Sequence, residues 1–272
     1  MLKKSLLPIT LIFGLSTNLF LSSLVATAKP QGYNTRNPNS QPVKPAVTKT
    51  YPRFRFKVAN PREWRNREGG DPVATCVPQD PSAVVPQIKN DSPRWKLPVE
   101  LTLSDRPTIF VNAYATPTKK ARFILREEGN NNILLDETLS LTIEKGIVAY
   151  TLPANFSGLE IGKTYKWRFS AICDFEDRSG DSKVFGLIKR VKPSAKIAQQ
   201  LAGTKTDRER ALIYAENGYW HDTVKALLDL RVANPQDRSL IQDWWDLFRS
   251  VGLQSLEKQP VVQIQGDETP ND

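Results

Sequence analysis

Histidine, cysteine and methionine are scarce in this chain of 272 residues, which contains one, two and one of them, respectively. The single histidine, His221, has no second histidine with which to share a metal ion, and a catalytic histidine needs a nucleophile or a metal as its partner. The sequence also lacks the G-x-S-x-G, P-loop and G-x-G-x-x-G motifs. We therefore expect no enzymatic activity, no cofactor and no metal, and we expect His221 to be a surface or helix-capping residue.

Long apolar runs are absent except near the N-terminus. Lys3 and Lys4 precede an apolar run over residues 6–25, and the small residues Ala-Thr-Ala follow at 26–28. This order is typical of a secretory signal peptide at residues 1–28. We predict cleavage near Ala28 and export of the remaining chain to the periplasm or the extracellular space. A retained membrane anchor is the alternative, because the run is about as long as a membrane-spanning helix.

Export determines how the two cysteines, Cys76 and Cys173, are interpreted. Two cysteines in one domain usually form a disulfide in an oxidising compartment. A metal or redox site would need a C-x-x-C pair or neighbouring histidines, and the sequence has neither. We therefore predict a disulfide between Cys76 and Cys173.

Basic residues are concentrated near the N-terminus. Residues 29–70 contain ten Lys or Arg and two acidic residues, whereas residues 71–272 contain 26 and 27. The same N-terminal segment is rich in proline, asparagine and glutamine. Such a composition cannot bury enough apolar surface to offset the entropy lost on ordering, so we predict an extended, mobile linker at 29–73.

Aromatic residues alternate with the cations of this linker between residues 51 and 67, a segment that we call the basic aromatic arm. Its cations could hold an anionic lipid or a cell-wall polymer while its aromatic rings insert or stack. A nucleic acid would suit the composition but not the export signal. A solubilising linker, or a strand that folds back on the sandwich, is the alternative. The candidate contact residues are Arg53, Arg55, Lys57, Arg62, Trp64, Arg65 and Arg67.

Residues 74–192 have the pattern of an antiparallel β-sandwich of immunoglobulin-like architecture. Seven short strand-like runs are separated by proline, glycine and asparagine. In the run before Cys173, the side chains of Tyr165, Trp167 and Phe169 fall on one face by the two-residue period of a strand. This period places Cys173 in phase with the predicted core.

Beyond Pro193 the apolar period becomes helical, which predicts a three-helix segment over 193–256 and a disordered tail over 257–272. Thr206 and Glu209 have the spacing of a capping box. Residues 211–235 resemble a tetratricopeptide helical hairpin. The residues expected to pack the helices or to face a partner are Tyr214, Gly218, Trp220, Leu227, Trp244 and Trp245.

Acidic residues cluster in the loop at 174–181, where Asp174, Glu176, Asp177 and Asp181 follow Cys173. Such a loop could supply oxygen ligands to calcium, but the order of an EF-hand is absent. We therefore interpret it as a solvated hairpin turn.

Four features taken together are similar to domain-of-unknown-function family 928, a family of exported proteins found mostly in cyanobacteria. They are Cys76 and the segments LTLSDRPTIFVNAY (101–114), LEIGKTYKWRFSAICDFEDRSGD (159–181) and RERALIYAENGYWHDTVKALLDLRVANPQD (208–237). The resemblance covers about residues 74–256. It implies a signal peptide, a paired cysteine and a helical C-terminal portion, and it implies no activity.

From these observations we expect an exported, non-enzymatic module that binds or connects proteins of the cell envelope. The alternative is a structural protein of the envelope surface, held on anionic lipid or cell wall by the basic aromatic arm. The sequence indicates neither the partner nor the oligomeric state.

Overall fold

Two β-sheets of mostly antiparallel strands and four α-helices make up the computed structural model, which describes residues 52–58, 64–66, 76–87, 96–130 and 132–264. The predicted α+β class is confirmed at this level. The predicted signal peptide at 1–28 lies outside the described residues. No helix in the described part of the chain is long and apolar enough to cross a membrane.

The helices and strands follow in chain order. The strands are β1 Trp64–Asn66, β2 Ser82–Ala83, β3 Lys96–Thr102, β4 Thr108–Tyr114, β5 Lys120–Glu127, β6 Ile133–Ser140, β7 Lys145–Thr151, β8 Thr164–Ala171, β9 Ser182–Arg190 and β10 Val261–Ile264. The helices are α1 Ala195–Ala202, α2 Asp207–Glu216, α3 Trp220–Ala233 and α4 Arg238–Ser250. The strands form a six-stranded sheet of order β1-β3-β9-β8-β5-β6 and a four-stranded sheet of order β10-β7-β4-β2. Only the β3–β9 and β10–β7 pairs are parallel.

A first apolar core lies between the two sheets and follows from the two-residue period of the strands. As predicted, Tyr165, Trp167 and Phe169 of β8 are buried on one face, where they join Phe123 of β5. Gly186 of β9 pairs with Trp167, and a Cβ atom at Gly186 would stand 2.2 Å from the indole ring. Any other residue at position 186 would therefore displace the largest side chain of this core.

A second apolar core lies between the four-stranded sheet and the helices. Phe110 of β4 and Ile147 of β7 point to this side, where they meet Trp220 of α3 and Phe248 of α4. The indole nitrogen of Trp220 donates a hydrogen bond of 2.6 Å to the carbonyl oxygen of Val84. The helices are thereby fixed on the sheet through both apolar packing and a buried hydrogen bond.

The helix ends confirm the predicted capping box and show two further features. Thr206 and Glu209 form a reciprocal capping box at the start of α2, and the Ser194 side chain caps α1. Gly218 connects α2 to α3 with a φ of 78°, a left-handed conformation that glycine adopts without a steric penalty. The tight turn lets α2 and α3 pack against each other along the chain.

The prediction of a mobile linker over 29–73 is wrong for residues 52–58. Phe54 is completely buried, and Phe56 meets Trp220 edge to face with ring centroids 5.0 Å apart. Lys57 donates its backbone N–H to the carbonyl oxygen of Ala215 at 3.0 Å. Alternating aromatic residues give this short segment one apolar face, so it packs on the helices despite its basic composition. The linker prediction also fails at β1, which pairs with β3.

The prediction of a disordered tail over 257–272 is wrong up to residue 264. Glu257 forms a bidentate ion pair with Arg249 of α4. β10 then pairs with β7 in parallel, and its last residue, Ile264, is buried in the first core. The polar residues after Leu256 concealed the short apolar strand that follows them. Residues 265–272 lie outside the described part.

Candidate functional site

A cleft of about 750 Å³ opens beside α3, between the α2–α3 pair and the connection from β3 to β4. Helices α2 and α3 supply most of its wall, while Thr108 and Thr151 supply the sheet side. The charged residues that line it are Arg106, Asp207, Arg210, Asp222, Lys225 and Asp229. The cleft therefore combines charges of both signs over a short distance.

Asp222 ties the start of α3 to the end of β3. It lies in the first turn of α3, where a carboxylate interacts favourably with the helix dipole. Its Oδ2 atom accepts a hydrogen bond of 3.2 Å from the backbone N–H of Leu103, and the Thr102 hydroxyl and the Ser104 backbone N–H also donate to the carboxyl group. These bonds hold the carboxyl group in a fixed place at one end of the cleft.

Burial raises the pKa of Asp222 to about 6, although the hydrogen bonds from Thr102, Leu103 and Ser104 oppose the shift. No ion pair joins Asp222 to a Lys or Arg residue in the described part of the chain. By contrast, each cation of the cleft has an acidic partner. The pairs are Arg106–Asp105, Arg210–Asp207 and Lys225–Asp229, with N–O distances of 3.4, 4.0 and 2.6 Å.

Two tyrosine rings lie near this carboxyl group. Tyr214 and Tyr219 meet edge to face, with centroids 6.5 Å apart and an interplanar angle of 77°. Burial raises the pKa of each phenol, and the charge of Asp222 raises it further; at Tyr214 a side-chain hydrogen bond with Arg210 opposes the shift. Tyr214 also lines the cleft. One end of the cleft thus brings a carboxylate and an aromatic ring together.

His221 is buried, so the expectation of a surface or capping residue is wrong. Its Nδ1 atom lies 2.9 Å from the carbonyl oxygen of Thr108, and because a carbonyl can only accept, Nδ1 is the protonated nitrogen. Its Nε2 atom is buried and has no hydrogen-bond partner among the described residues. Burial lowers the pKa of His221 to about 4, which leaves the ring neutral at pH 7. Because Trp220 and Val224 pack the first turn of α3 into the second core, His221 is buried as well.

Glu100 is a buried acid of β3, two residues before Thr102. It pairs in register with Ile188, a member of the first core, and burial raises the pKa of its carboxyl group to about 8. None of the described residues makes a hydrogen bond or ion pair with this carboxyl group. Glu100 therefore has a protonated side chain at neutral pH, on the same face of β3 as Thr102.

Sequence reasoning missed Glu100 and did not select Asp222. In VELTL (99–103), Glu100 and Thr102 alternate with apolar residues. The pattern alone does not show whether the polar or the apolar side chains of this strand point outward. The position of Asp222 directly after the only histidine was a signal, but its contact with Leu103 joins residues 119 apart. Such a contact cannot be found from a local pattern.

The predicted helix-packing residues mostly lie in the second core. Trp220, Leu227 and Trp244 are completely buried there. Tyr214 is half-buried and lines the cleft. Trp245 is also half-buried, with the cations of Arg249 and Lys258 each 5.6 Å from its ring centroid.

The residues predicted to contact an anionic surface differ in their positions in the structure. Arg53, Arg55 and Lys57 are exposed, whereas the aromatic residues between them, Phe54 and Phe56, pack inward. Arg62 and Arg67 lie outside the described residues, and Trp64 and Arg65 belong to β1. Insertion of Phe54 or Phe56 into a surface, which the sequence suggested, is therefore blocked by their packing.

The predicted disulfide between Cys76 and Cys173 is confirmed, with the two Cα atoms 5.6 Å apart. It is compatible with an exported protein, because disulfides persist in oxidising compartments. In the acidic loop that follows Cys173, Asp181 is buried and accepts hydrogen bonds from the Cys173 backbone N–H and the Arg178 side chain. Asp177 caps the short 3₁₀ helix Arg178–Gly180. No cluster of three or more potential metal ligands occurs in the described part of the chain.

Comparison with protein families gives a match to the model described as Domain of Unknown Function (DUF928) over residues 62–261. No curated protein and no solved structure matches the chain. The matched range begins just before β1 and ends at the first residue of β10, so it includes all four helices, the cleft and both sheets except the last three residues of β10. The chain belongs to domain-of-unknown-function family 928.

Proposed function

We propose that this protein is an exported, non-enzymatic binding module that receives a segment of a partner polypeptide in the cleft beside α3. The observation that carries the proposal is the cleft itself. Its volume of about 750 Å³ is within the range of ligand sites in proteins. Its lining combines apolar residues such as Leu103, Ala226 and Leu230 with the charged residues described above.

The shape of the cleft favours an elongated ligand. The lining residues of α3 recur on one side of the helix from His221 to Asn234. At about 1.5 Å per residue this stripe is roughly 20 Å long. An extended polypeptide rises about 3.3 Å per residue, so a segment of about six residues would occupy the length.

The finer details of the fold are part of the same proposal. We infer that the two sheets are an immunoglobulin-like sandwich and that α2 and α3 are a tetratricopeptide-like hairpin. Burial of Ala211, Trp220 and Leu227 at the spacing of that repeat supports the second inference. A single hairpin has no neighbouring repeat to cover its apolar face, and here the four-stranded sheet takes that place. The cleft then lies on the side of the hairpin that remains open.

A photo-crosslinking amino acid placed on α3 tests the binding proposal in cells that produce and export the protein. Position Ala226 lies in the cleft, whereas Val232 lies on the same helix, outside the cleft and 60% exposed. We expect a discrete crosslinked protein species from position 226 and none from position 232. Equal crosslinking at both positions, or no species from position 226, would contradict the proposal.

A second candidate function is attachment to an anionic envelope surface. It is favoured by the exposure of Arg53, Arg55 and Lys57 on one side of the docked segment, next to exposed Lys196 of α1. Because Phe54 and Phe56 pack inward, such attachment would be purely electrostatic. It should therefore be lost at high ionic strength, where charges separated by more than a few ångströms are screened.

Co-sedimentation with vesicles that contain anionic lipid distinguishes this second function. We expect the protein to bind at low salt and to be released at high salt, and we expect replacement of Arg53, Arg55 and Lys57 by Gln to abolish binding. Absence of binding at low salt, or binding that resists high salt, would rule the surface function out.

A further inference from the structure

We infer that Asp222 and Tyr214 form a subsite for the side chain of a lysine or arginine residue in the bound polypeptide. The inference rests on the proposed binding function and adds the chemistry of the ligand. It assigns a cation to one end of the cleft, where α3 begins.

The first argument is the balance of charge. The three cations that line the cleft are each paired with a carboxylate, as described above. Among the described residues, Asp222 accepts hydrogen bonds from the backbone and from Thr102 but has no Lys or Arg as an ion-pair partner. The half-buried carboxylate of Asp222 has no cation as its partner among the described residues, and an ammonium or guanidinium group of a ligand would complete the pair.

The second argument is the aromatic ring beside the carboxyl group. Tyr214 lines the cleft; its hydroxyl group hydrogen-bonds with Arg210 and is influenced by the charge of Asp222. A cation over the face of a tyrosine ring is attracted by the ring quadrupole, and the attraction grows when water is excluded. A carboxylate next to an aromatic ring therefore selects an organic cation over a neutral or acidic side chain.

The third argument is the state of His221, which lines the same end of the cleft. The ring is neutral and 99% buried, and its Nδ1–H group donates a hydrogen bond to the carbonyl oxygen of Thr108. The Nε2 atom can therefore only accept a hydrogen bond, and it has no donor among the described residues. An ammonium or guanidinium group carries only donors. The histidine thus adds an acceptor and no repulsive charge near Asp222.

Titration of the purified protein with short peptides tests the inference. The probes are acetyl-Gly-Gly-Lys-Gly-Gly-amide and the same peptide with norleucine, which keeps the aliphatic chain of lysine and lacks the charge. We expect the lysine peptide to bind and the norleucine peptide to bind about tenfold more weakly or not at all. Absence of binding by the lysine peptide, or equal binding of both, would overturn the inference.

Matched variants locate the bound peptide. Asp222→Asn keeps an oxygen that can accept from Leu103, and we expect it to weaken binding of the lysine peptide about tenfold. Asp246→Asn makes the same chemical change on α4, outside the cleft, and should bind like the unaltered protein. Equal affinity of the Asp222→Asn variant would contradict the inference. Circular dichroism confirms that both variants are folded.

The pH dependence of the unaltered protein provides a test that needs no variant. Protonated Asp222 cannot form an ion pair with a cation. With a pKa of about 6, only about a tenth of the Asp222 carboxyl groups are ionised at pH 5. Affinity for the lysine peptide should therefore fall about tenfold from pH 7.5 to pH 5. The other titratable groups of the cleft are its three ion pairs, Tyr214 and His221; Tyr219 lies beside Tyr214, and Glu100 lies two residues before Thr102 on β3. His221 and the two tyrosines keep their protonation states over this range. An affinity independent of pH would oppose the inference.

The crosslinking and peptide experiments distinguish failure of the proposed cation subsite from failure of the proposed binding function. If the crosslink at position 226 forms but the lysine peptide does not bind, the cleft binds a polypeptide that presents a different side chain to Asp222. If no crosslink forms, the binding function itself is wrong, whatever small peptides do.

Discussion

The two cores on opposite faces of the four-stranded sheet differ in their polar content. The core between the sheets consists mainly of apolar side chains from regular strands, such as Phe123 and Trp167, with Glu100 as a buried acid beside Ile188. The helix side contains buried polar groups, among them His221, Thr223 and the Arg208–Asp243 ion pair. Buried polar groups cost free energy unless they are paired, so a core that retains them is the better candidate for function.

The two cores also differ in how the chain assembles them. Neighbouring strands complete most of the first core, whereas the second brings together Phe54, Val84, Phe110, Trp220 and Phe248 from distant parts of the sequence. A site built from so many segments depends on each contact between them. The difference suggests that the first core maintains the fold and that the second positions the cleft.

Removal of the disulfide should have the largest effect, because it loosens the segment that supplies both β2 and Val84. The disulfide joins residues 97 apart, for which loop-closure entropy corresponds to about 4–5 kcal/mol. We expect the Cys76→Ala/Cys173→Ala variant to lose about this free energy of unfolding, measured by urea denaturation. A loss below about 1 kcal/mol would show that the loop is already constrained in the unfolded chain.

Phe54→Ala tests whether the docked arm belongs to the second core. Phe54 is completely buried and the guanidinium of Arg208 lies 5.2 Å from its ring centroid. Truncation of a buried phenylalanine costs about 3–5 kcal/mol. The same substitution at Phe175, which is 57% exposed in the acidic loop, should change stability by less than about 0.5 kcal/mol. Equal effects at both positions would mean that the arm contributes nothing to the core.

His221 makes the stability of the helix side sensitive to acid. Burial lowers the pKa of this histidine from 6.5 to about 4, so the unfolded chain binds a proton that the folded protein does not. The contribution of the neutral ring is complete above pH 6.5 and is lost as the pH falls to about 4.

The stability advantage of the unaltered protein over a His221→Phe variant should therefore shrink by about 3 kcal/mol over this range. Urea denaturation of both proteins at several pH values measures it. Comparing the two proteins removes the opposite trend expected from Asp222. An advantage that does not change with pH would show that His221 is solvated in solution.

Glu100 should destabilise the fold as the pH rises. Because burial raises the pKa of this carboxyl group from 4.5 to about 8, the folded protein retains a proton that the unfolded chain has released. The cost begins above pH 4.5 and increases up to about pH 8. We expect Glu100→Gln to raise the free energy of unfolding by about 2 kcal/mol at pH 6, to have a larger effect at pH 7.5 and to have little effect at pH 4.5. A destabilised variant at pH 7.5 would indicate a charged role for Glu100.

The sequence predicted the parts of the fold that depend on local patterns. The alternation from Tyr165 to Phe169, the capping box at Thr206 and the Cys76–Cys173 disulfide are all confirmed. For residues 52–58, folding back was given only as an alternative and on the sandwich instead of the helices, because a basic, proline-rich composition outweighed two well-placed phenylalanines. Strand β10 was missed because its partner, β7, lies more than a hundred residues earlier.

The candidate site could be predicted only in part. Helices on both sides of Gly218 and the position of Tyr214 on the first of them were predicted from spacing, but the contacts of Asp222 and His221 depend on Leu103 and Thr108 near the ends of two strands. A single sequence does not specify which strand end meets which helix. The burial that shifts the pKa values of Asp222 and His221 results from this contact between strand ends and helix α3.

The most direct test of the claim that the helix side carries the function is an NMR titration of the isotopically labelled protein with the lysine peptide. We predict that backbone amide shifts change in the connection at 103–108 and along α2 and α3, while β5 and β8 remain unaffected. Shifts confined to the docked segment at 52–58, or to the six-stranded sheet, would contradict the assignment of the cleft as the binding site.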